Sequence, residues 1–498
     1  MISYGSLRRI SDWLPLTAIL AVAAAARLWY LTAGVPHAVG IDEPIVVDHA
    51  LRILQTGDWN PHVFNYPSLV IYFQAGVEIL RFLWGAVHGE WAALDRFDML
   101  AVYQAARFAT AVVGVATVWL TFELGRELSG RPVALLAAAQ MAVRPMHVRE
   151  SHYALTDVPM TALVTLALWL TVRAMRRRAV VDYALAGMAA GLAAAAKYTG
   201  GVAFAGVVVA WALAERSSPR RGRTLLAAAG AAALAFAVTT PYSWLDLPSF
   251  LNGFASLFAQ YSVPSGAADP AWRVYAKHLW MDGAIALVTA LAALPIVFAR
   301  RSERQYWVPV VAVAVLHFYA LSTHSHMFGR YALPLLPIVC VLSSVTIVAL
   351  LRFARLSPAL ARPWPRRAVA AAAILIVLTG PTVAAVRWLD QSKRPDTRTM
   401  AADWLQAHAP RGARVAVENS GPTYLGAAGF RVTPTELLLE HDVAWYRQHV
   451  DYLIVSATDR SHYGDLLSAG ATVYQVTPTL QRWGPPVQIV ALHPPAAQ

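Results

Sequence analysis

Apolar runs recur down the chain, near 14–33, 103–124, 132–147, 158–174, 180–196, 198–214, 225–242, 280–298, 306–322, 331–351 and 367–387. A helix rises 1.5 Å per residue, so about 20 apolar residues cross the roughly 30 Å of bilayer hydrocarbon. The pattern therefore predicts eleven membrane-crossing helices. The runs 132–147 and 180–196 are short for a full span, a property tolerated where a helix lines a cavity rather than lipid. The first run follows Arg8 and Arg9 and ends in an alanine-rich stretch, like a secretory leader, but its length predicts a retained helix.

Three further segments alternate differently. Ile45–Leu54 sets Ile45, Val46, Leu51 and Leu54 against Asp48, His49 and Arg52. Ser68–Trp84 places Gln74, Glu78 and Arg81 at helical spacing, and Ser249–Tyr261 carries Phe250, Phe254, Leu257 and Phe258. One polar face on an apolar helix predicts a helix lying in the membrane interface. Ser68–Trp84 is apolar enough to cross, but counting it inverts every later segment.

Charge decides that question. Eleven crossings put the N-terminus inside and the C-terminus outside. The inner linkers then hold Arg126 and Arg131; Arg173, Arg176, Arg177 and Arg178; Arg216, Arg220, Arg221 and Arg223; Arg300, Arg301 and Arg304; and the basic stretch Arg352 to Arg367. Each agrees with the positive-inside rule. From about Trp388 the pattern becomes that of a soluble domain. Thr397–Ala409 reads as helix, Arg414–Val417 as strand, Val443–His449 as helix and Tyr452–Val455 as strand, a small α/β layer. The expected division is a transmembrane catalytic domain, 1–387, whose first outer loop spans 34–97, and an extracytoplasmic domain, 388–498.

Composition supports a polytopic α-helical membrane protein. The 498 residues are 57% hydrophobic and 14% charged, against about 25% charged in soluble chains. The net charge of +12 lies mostly in the arginine linkers, so it does not imply nucleic acid. The single cysteine, Cys340, forms no internal disulfide.

Chemistry gathers at the outer helix ends. Asp42 and Glu43 follow the first crossing; adjacent carboxylates beside apolar surface raise one another's pKa, which suits a base or a metal ligand. They equally suit the N-terminus of a helix starting at Pro44. Asp157 precedes the fourth crossing, where a helix cap is the alternative role. Polar His147, Arg149, Glu150 and His152 stand nearby. Only three of the 41 basic residues are lysines, and Lys197 ends a run of four alanines. It is read either as a positioned ammonium or as a side chain snorkelling to the interface. Arg330 and Tyr331 open a later crossing, and guanidinium grips phosphate bidentately. Arg27 and Arg107 lie near outer helix ends, where salt bridges to the acids are the alternative. His62, His147, His152, His324 and His326 are candidate partners of Glu43 around a divalent cation, though none forms a tight metal motif.

These stretches together resemble the GT-C glycosyltransferases, in particular dolichyl-phosphate-mannose protein mannosyltransferases and bacterial aminoarabinose transferases. The matching parts are Ile41-Asp-Glu-Pro, Gly57-Asp-Trp-Asn-Pro-His, Tyr66-Pro-Ser, Arg107, Gly125-Arg-Glu-Leu-Ser-Gly-Arg, Ser151-His-Tyr-Ala-Leu-Thr-Asp, Ala196-Lys-Tyr-Thr and Arg330-Tyr-Ala-Leu-Pro-Leu-Leu-Pro. The resemblance implies a GT-C fold in a bacterial cytoplasmic membrane. It also implies a polyprenyl-phosphate sugar donor and reaction at the outer face. Asp42 would take the acceptor's proton, Lys197 and Arg330 with Tyr331 would hold the donor phosphate, and Glu43 and Asp157 would orient acceptor or sugar. Arg27, Tyr66, Arg107, His152, Tyr198 and His326 would line the cavity. The long inserted domain of eukaryotic protein mannosyltransferases is absent, which counts against a protein acceptor; among lipid, glycan and protein the sequence does not choose. The rival readings are a ligase using a lipid-diphosphate donor and a transporter or flippase. A transporter would show related halves and midplane polar residues, neither of which the sequence displays.

Overall fold

A computed structural model describes residues 4–94, 97–216, 218–262, 269–323, 327–354 and 362–493. The expected cavity residue His326, with His324, lies outside them. The chain divides into two compact units: Met1–Trp29, Val46–Glu90 and Ala105–Val386 form one, and Tyr30–Ile45, Trp91–Gln104 and Arg387–Gln498 the other. The second unit thus contains two pieces of the segment predicted as the first outer loop, besides the C-terminal domain.

The first unit is helical. In chain order the helices are α1 (Tyr4–Arg27), α2 (Glu43–Thr56), α3 (Leu69–Val87), α4 (Met99–Ser129), α5 (Arg131–Ala142), α6 (Pro145–Glu150), α7 (Asp157–Arg177), α8 (Val180–Ala196), α9 (Val202–Ala214), α10 (Arg221–Thr239), α11 (Tyr242–Leu245), α12 (Leu247–Ser262), α13 (Ala271–Ala299), α14 (Arg304–Ser322), α15 (Leu335–Ala354) and α16 (Pro363–Gln391). Among the described residues eight are long and apolar enough to cross a membrane, and three shorter apolar helices join them: Trp13–Arg27, Val180–Ala196 and Tyr198–Ala214. The interface segments predicted from periodicity are the helices α2, α3 and α12. By length and hydropathy α3 meets the same criterion as the crossing helices, so only the arginine distribution argues for laying it in the interface.

One predicted crossing is broken. The run 132–147 is the twelve-residue α5 followed by the separate α6. Pro145 is the cause: it lacks an amide proton and drives Arg144 into extended geometry, φ −62°, ψ 114°. The freed carbonyls do not go unsatisfied. The guanidinium of Arg27 donates to Ala142 O at 2.9 Å and Met141 O at 3.0 Å, a cation closing a helix C-terminus. Arg144 itself is buried and paired with Asp282, 3.5 Å away in α13, whose other oxygen accepts the Met146 amide at 2.8 Å. Gly283 makes room for it, since a Cβ there would stand 1.9 Å from Arg144 Nη1.

Helices α8 and α10 touch backbone to backbone. A Cβ on Gly187 would lie 2.1 Å from Ala228 O, and one on Gly191 2.2 Å from Ala232 O. Without a hydrophobic drive between helices in lipid, such small-residue seams supply close packing instead.

The C-terminal domain holds α17 (Thr397–His408), β1 (Arg414–Glu418), β2 (Arg431–Thr435), α18 (Val443–His449), β3 (Tyr452–Val455), α19 (Gly464–Ser468), β4 (Ala471–Val476) and β5 (Val487–Ala491). The sheet order is β2-β1-β3-β5-β4, with β2, β1 and β3 parallel and β5 antiparallel to β3 and β4. Alternate residues face opposite sides, so Val415, Ile454 and Ile489 pack with α17 residues Ala401 and Leu405. Ala416, Leu453 and Val490 pack with Tyr446 of α18 and Leu466 of α19. Both faces are covered, as a largely parallel sheet requires.

Candidate active site

Within the helical unit, three of the residues singled out from the sequence meet. Asp157 is the first residue of α7, not its cap: the residue before it, Thr156, occupies that position without a side-chain bond. Its carboxylate instead bridges two cations. Lys197 Nζ donates to Oδ1 at 2.7 Å, and Arg330 Nε lies 3.5 Å from Oδ2. All three side chains are largely buried.

Local sequence explains the placement of each. Helix α8 stops at Ala196, and Lys197 is extended at φ −159°, ψ 133° before a short 3-10 turn, Tyr198–Gly201. Gly200 permits that turn, because a Cβ would fall 2.3 Å from Ala193 O. Lys197 therefore projects from a helix end rather than running along its side. Its ammonium also sits 4.0 Å from the centre of the Tyr331 ring, a cation–π contact that survives desolvation well. Arg330 belongs to the 3-10 turn Gly329–Ala332 and rests 4.4 Å over the Phe328 ring. The turn is fixed behind by buried His317, whose Nε2 donates to Tyr331 O at 3.0 Å.

A second acid–base pair borders this centre. Arg149 and Glu150 in α6 pair at 2.8 Å, with Glu150 buried and Arg149 exposed. Burial lifts the Glu150 carboxyl above its ordinary range, against the pull of Arg149 and Arg330. Lys197 and Arg330 outnumber the Asp157 carboxylate between them, so the centre keeps positive charge in excess. Such a centre can hold a monoanion and stabilise charge that develops on it.

The residues expected to line a cavity have other engagements. Arg27 is fully buried; beyond the α5 carbonyls it reaches His147 Nδ1 at 3.0 Å, so it does not border open space. Arg107 is buried with its guanidinium 5.6 Å over Tyr153. His152 has Val148 O and Trp29 O each 2.8 Å from a ring nitrogen. Burial nevertheless pushes its pKa down to about 4, against the pull of those carbonyls. Tyr198 donates to Phe64 O at 2.9 Å and packs edge-on against Phe254, and Tyr66 is half-buried. Among the described residues no group of three or more His, Cys, Asp or Glu side chains is placed to hold a metal ion.

Asp42 and Glu43 belong to the other unit. Glu43 is buried and opens α2; its Oε2 accepts the Gly40 amide at 2.7 Å, while its own amide donates to Gly40 O at 3.0 Å. This reciprocal pair resembles a capping box and closes the turn that presents Asp42. Asp42 is half-buried.

A model of the dolichyl-phosphate-mannose-protein mannosyltransferase family matches residues 100–244. Among curated protein sequences none matches. Solved structures do. ArnT from Cupriavidus metallidurans in the apo state is 15% identical, with a TM-score of 0.64 covering 97% of this chain and 98% of that one. The same protein bound to undecaprenyl phosphate gives 16%, 0.62, 97% and 99%. The apo oligosaccharyltransferase of Archaeoglobus fulgidus gives 14% and 0.60, covering 90% of this chain and 70% of that one. This chain has their fold, a GT-C helical membrane domain with a small C-terminal sheet domain.

Proposed function

We propose that the protein is an inverting glycosyltransferase that moves a sugar from a polyprenyl-phosphate donor to an acceptor hydroxyl or amine at the outer membrane face. The observation that carries this reading is the bridging of Lys197 and Arg330 by Asp157 at helix ends. The positive charge in excess suits the anionic phosphate of such a donor. A groove of about 600 Å³ between α13, α14 and α15, lined by Leu279, Leu294, Phe318, Leu335 and Leu342, offers apolar surface for a prenyl chain. The likeness to ArnT, which binds undecaprenyl phosphate, and the match to a mannosyltransferase family model support the same donor class.

In this reading Asp42 is the base. Its carboxylate takes the acceptor's proton, and the acceptor oxygen or nitrogen attacks the anomeric carbon in line. The bond from that carbon to the phosphate oxygen breaks, and its electron pair leaves on the phosphate. Lys197 and Arg330, already oriented by Asp157, stabilise that charge without reorganising. A single displacement inverts the anomeric centre.

Purified protein incubated with radiolabelled polyprenyl-phosphate sugars tests the reading. Transfer to an acceptor is expected, whereas movement of intact donor across vesicles without transfer would establish a flippase. Asp42→Asn should lower kcat by about 10²- to 10⁴-fold with donor binding retained; wild-type turnover in that variant would remove Asp42 from the mechanism.

A further inference from the structure

The segment carrying Asp42 is held by the C-terminal domain. Four consecutive carbonyls, of Pro36, His37, Ala38 and Val39, each accept a hydrogen bond from two residues some 360 to 390 positions away. Thr423 Oγ1 donates to Pro36 O at 2.6 Å, and the Thr423 amide donates to His37 O at 2.9 Å. Arg398 Nη2 and Nη1 donate to Ala38 O at 3.3 Å and Val39 O at 3.2 Å. His37 returns a bond, Nδ1 to Thr423 O at 2.8 Å, and its other ring nitrogen meets Gln406 Nε2 at 3.3 Å. The donors are themselves fixed. Asp396, the cap of α17, grips the Arg398 guanidinium at 2.9 Å through both oxygens, the bidentate geometry in which arginine loses least freedom.

From Val39 only Gly40 and Ile41 lead to Asp42, and Gly40 is tied to Glu43 at both its amide and its carbonyl. Asp42 thus stands between a clamp and the first turn of α2. Its position has no slack from the segment before it.

We propose that the C-terminal domain is a positioning device for the catalytic base: Arg398 and Thr423 fix the 36–39 backbone and so set where the Asp42 carboxylate stands. The inference rests on the transferase reading for the role of Asp42, but the clamp itself is measurable without turnover. Arg398 and Thr423 touch no reacting atom; they act through the segment they hold. A misplacement of about 1 Å costs on the order of 100-fold in rate when groups must be aligned, so these peripheral bonds bear on the chemical step.

The experiment uses the full chain in lipid nanodiscs. Ile41 is 62% exposed, and the native Cys340 is buried, so Ile41→Cys accepts a spin label selectively. Thr423→Val and Arg398→Met remove donors with little change in size. Each should narrow the label's spectrum and lower kcat about 10- to 100-fold, with the donor KM within about twofold and melting unchanged. Thr423→Ser, which keeps the hydroxyl, should restore both readouts. Wild-type label motion and kcat in both variants would overturn the proposal, as would a rise in donor KM in place of the fall in kcat. If Arg398→Met unfolds the domain, Thr423→Val decides alone. An inactive wild type would overturn the transferase reading, and the label spectra would then still decide whether these bonds hold the segment.

Discussion

Two buried carboxylates, one in each unit, are satisfied in opposite ways. Glu418, at the end of β1, is met by neutral donors: the amides of Ser456 at 2.6 Å, Ala457 at 2.7 Å and Leu438 at 3.3 Å, and the hydroxyls of Tyr463 at 2.5 Å and Ser456 at 3.2 Å. Its lone pairs are fully used, and it forms no salt bridge among the described residues. Asp157 is met by two cations, Lys197 and Arg330. The first arrangement closes on itself and joins β1, β3 and α19. The second leaves charge over. A buried carboxylate with many amide donors is architecture, whereas one outnumbered by cations prepares a place for another anion.

The comparison breaks if the two acids behave alike on mutation. Asp157→Ala should have the largest effect: it leaves two largely buried cations without their counter-charge, costing about 3–5 kcal/mol and abolishing transfer. Thermal unfolding in detergent and the radiolabel assay measure the two losses. Glu418→Gln should cost about 3 kcal/mol, because an amide cannot accept all five bonds and its NH₂ faces donors. Below its lowered melting point that variant should turn over as the wild type does; a catalytic defect there would merge the two classes of site. Lys197→Ala sharpens the contrast at the smallest scale. Arg330 remains beside Asp157, so the fold should persist while donor kcat/KM falls about 10- to 100-fold. Unchanged donor kinetics would make Lys197 a structural partner of Asp157 and no more.

Much of this was legible in sequence because membranes impose simple rules. Most of the long apolar helices, and the helices α2, α3 and α12, follow from apolar runs and periodicity, and α17, β1, α18 and β3 were readable from alternation. Asp157, Lys197 and Arg330 stood out as ionisable residues at apolar helix ends. The Arg144–Asp282 pair was missed although a signal existed: each is a charge within an apolar run, and such charges are costly unless paired. Pro145 likewise announced the break after α5. The clamp on 36–39 left no such trace. Its acceptors are backbone carbonyls, which no residue type marks, and its donors lie some 360 to 390 positions away in the chain. The strands β2, β4 and β5 were also hidden: β2 and β4 are partly exposed edges, and β5 is buried nearly throughout and so shows no alternation.

The glycine seam between α8 and α10 has one more consequence. With Gly187 and Gly191 seated against the α10 main chain, a side chain at either position would drive the two helices apart. The lysine at the tip of α8 accordingly rides on a two-helix girder.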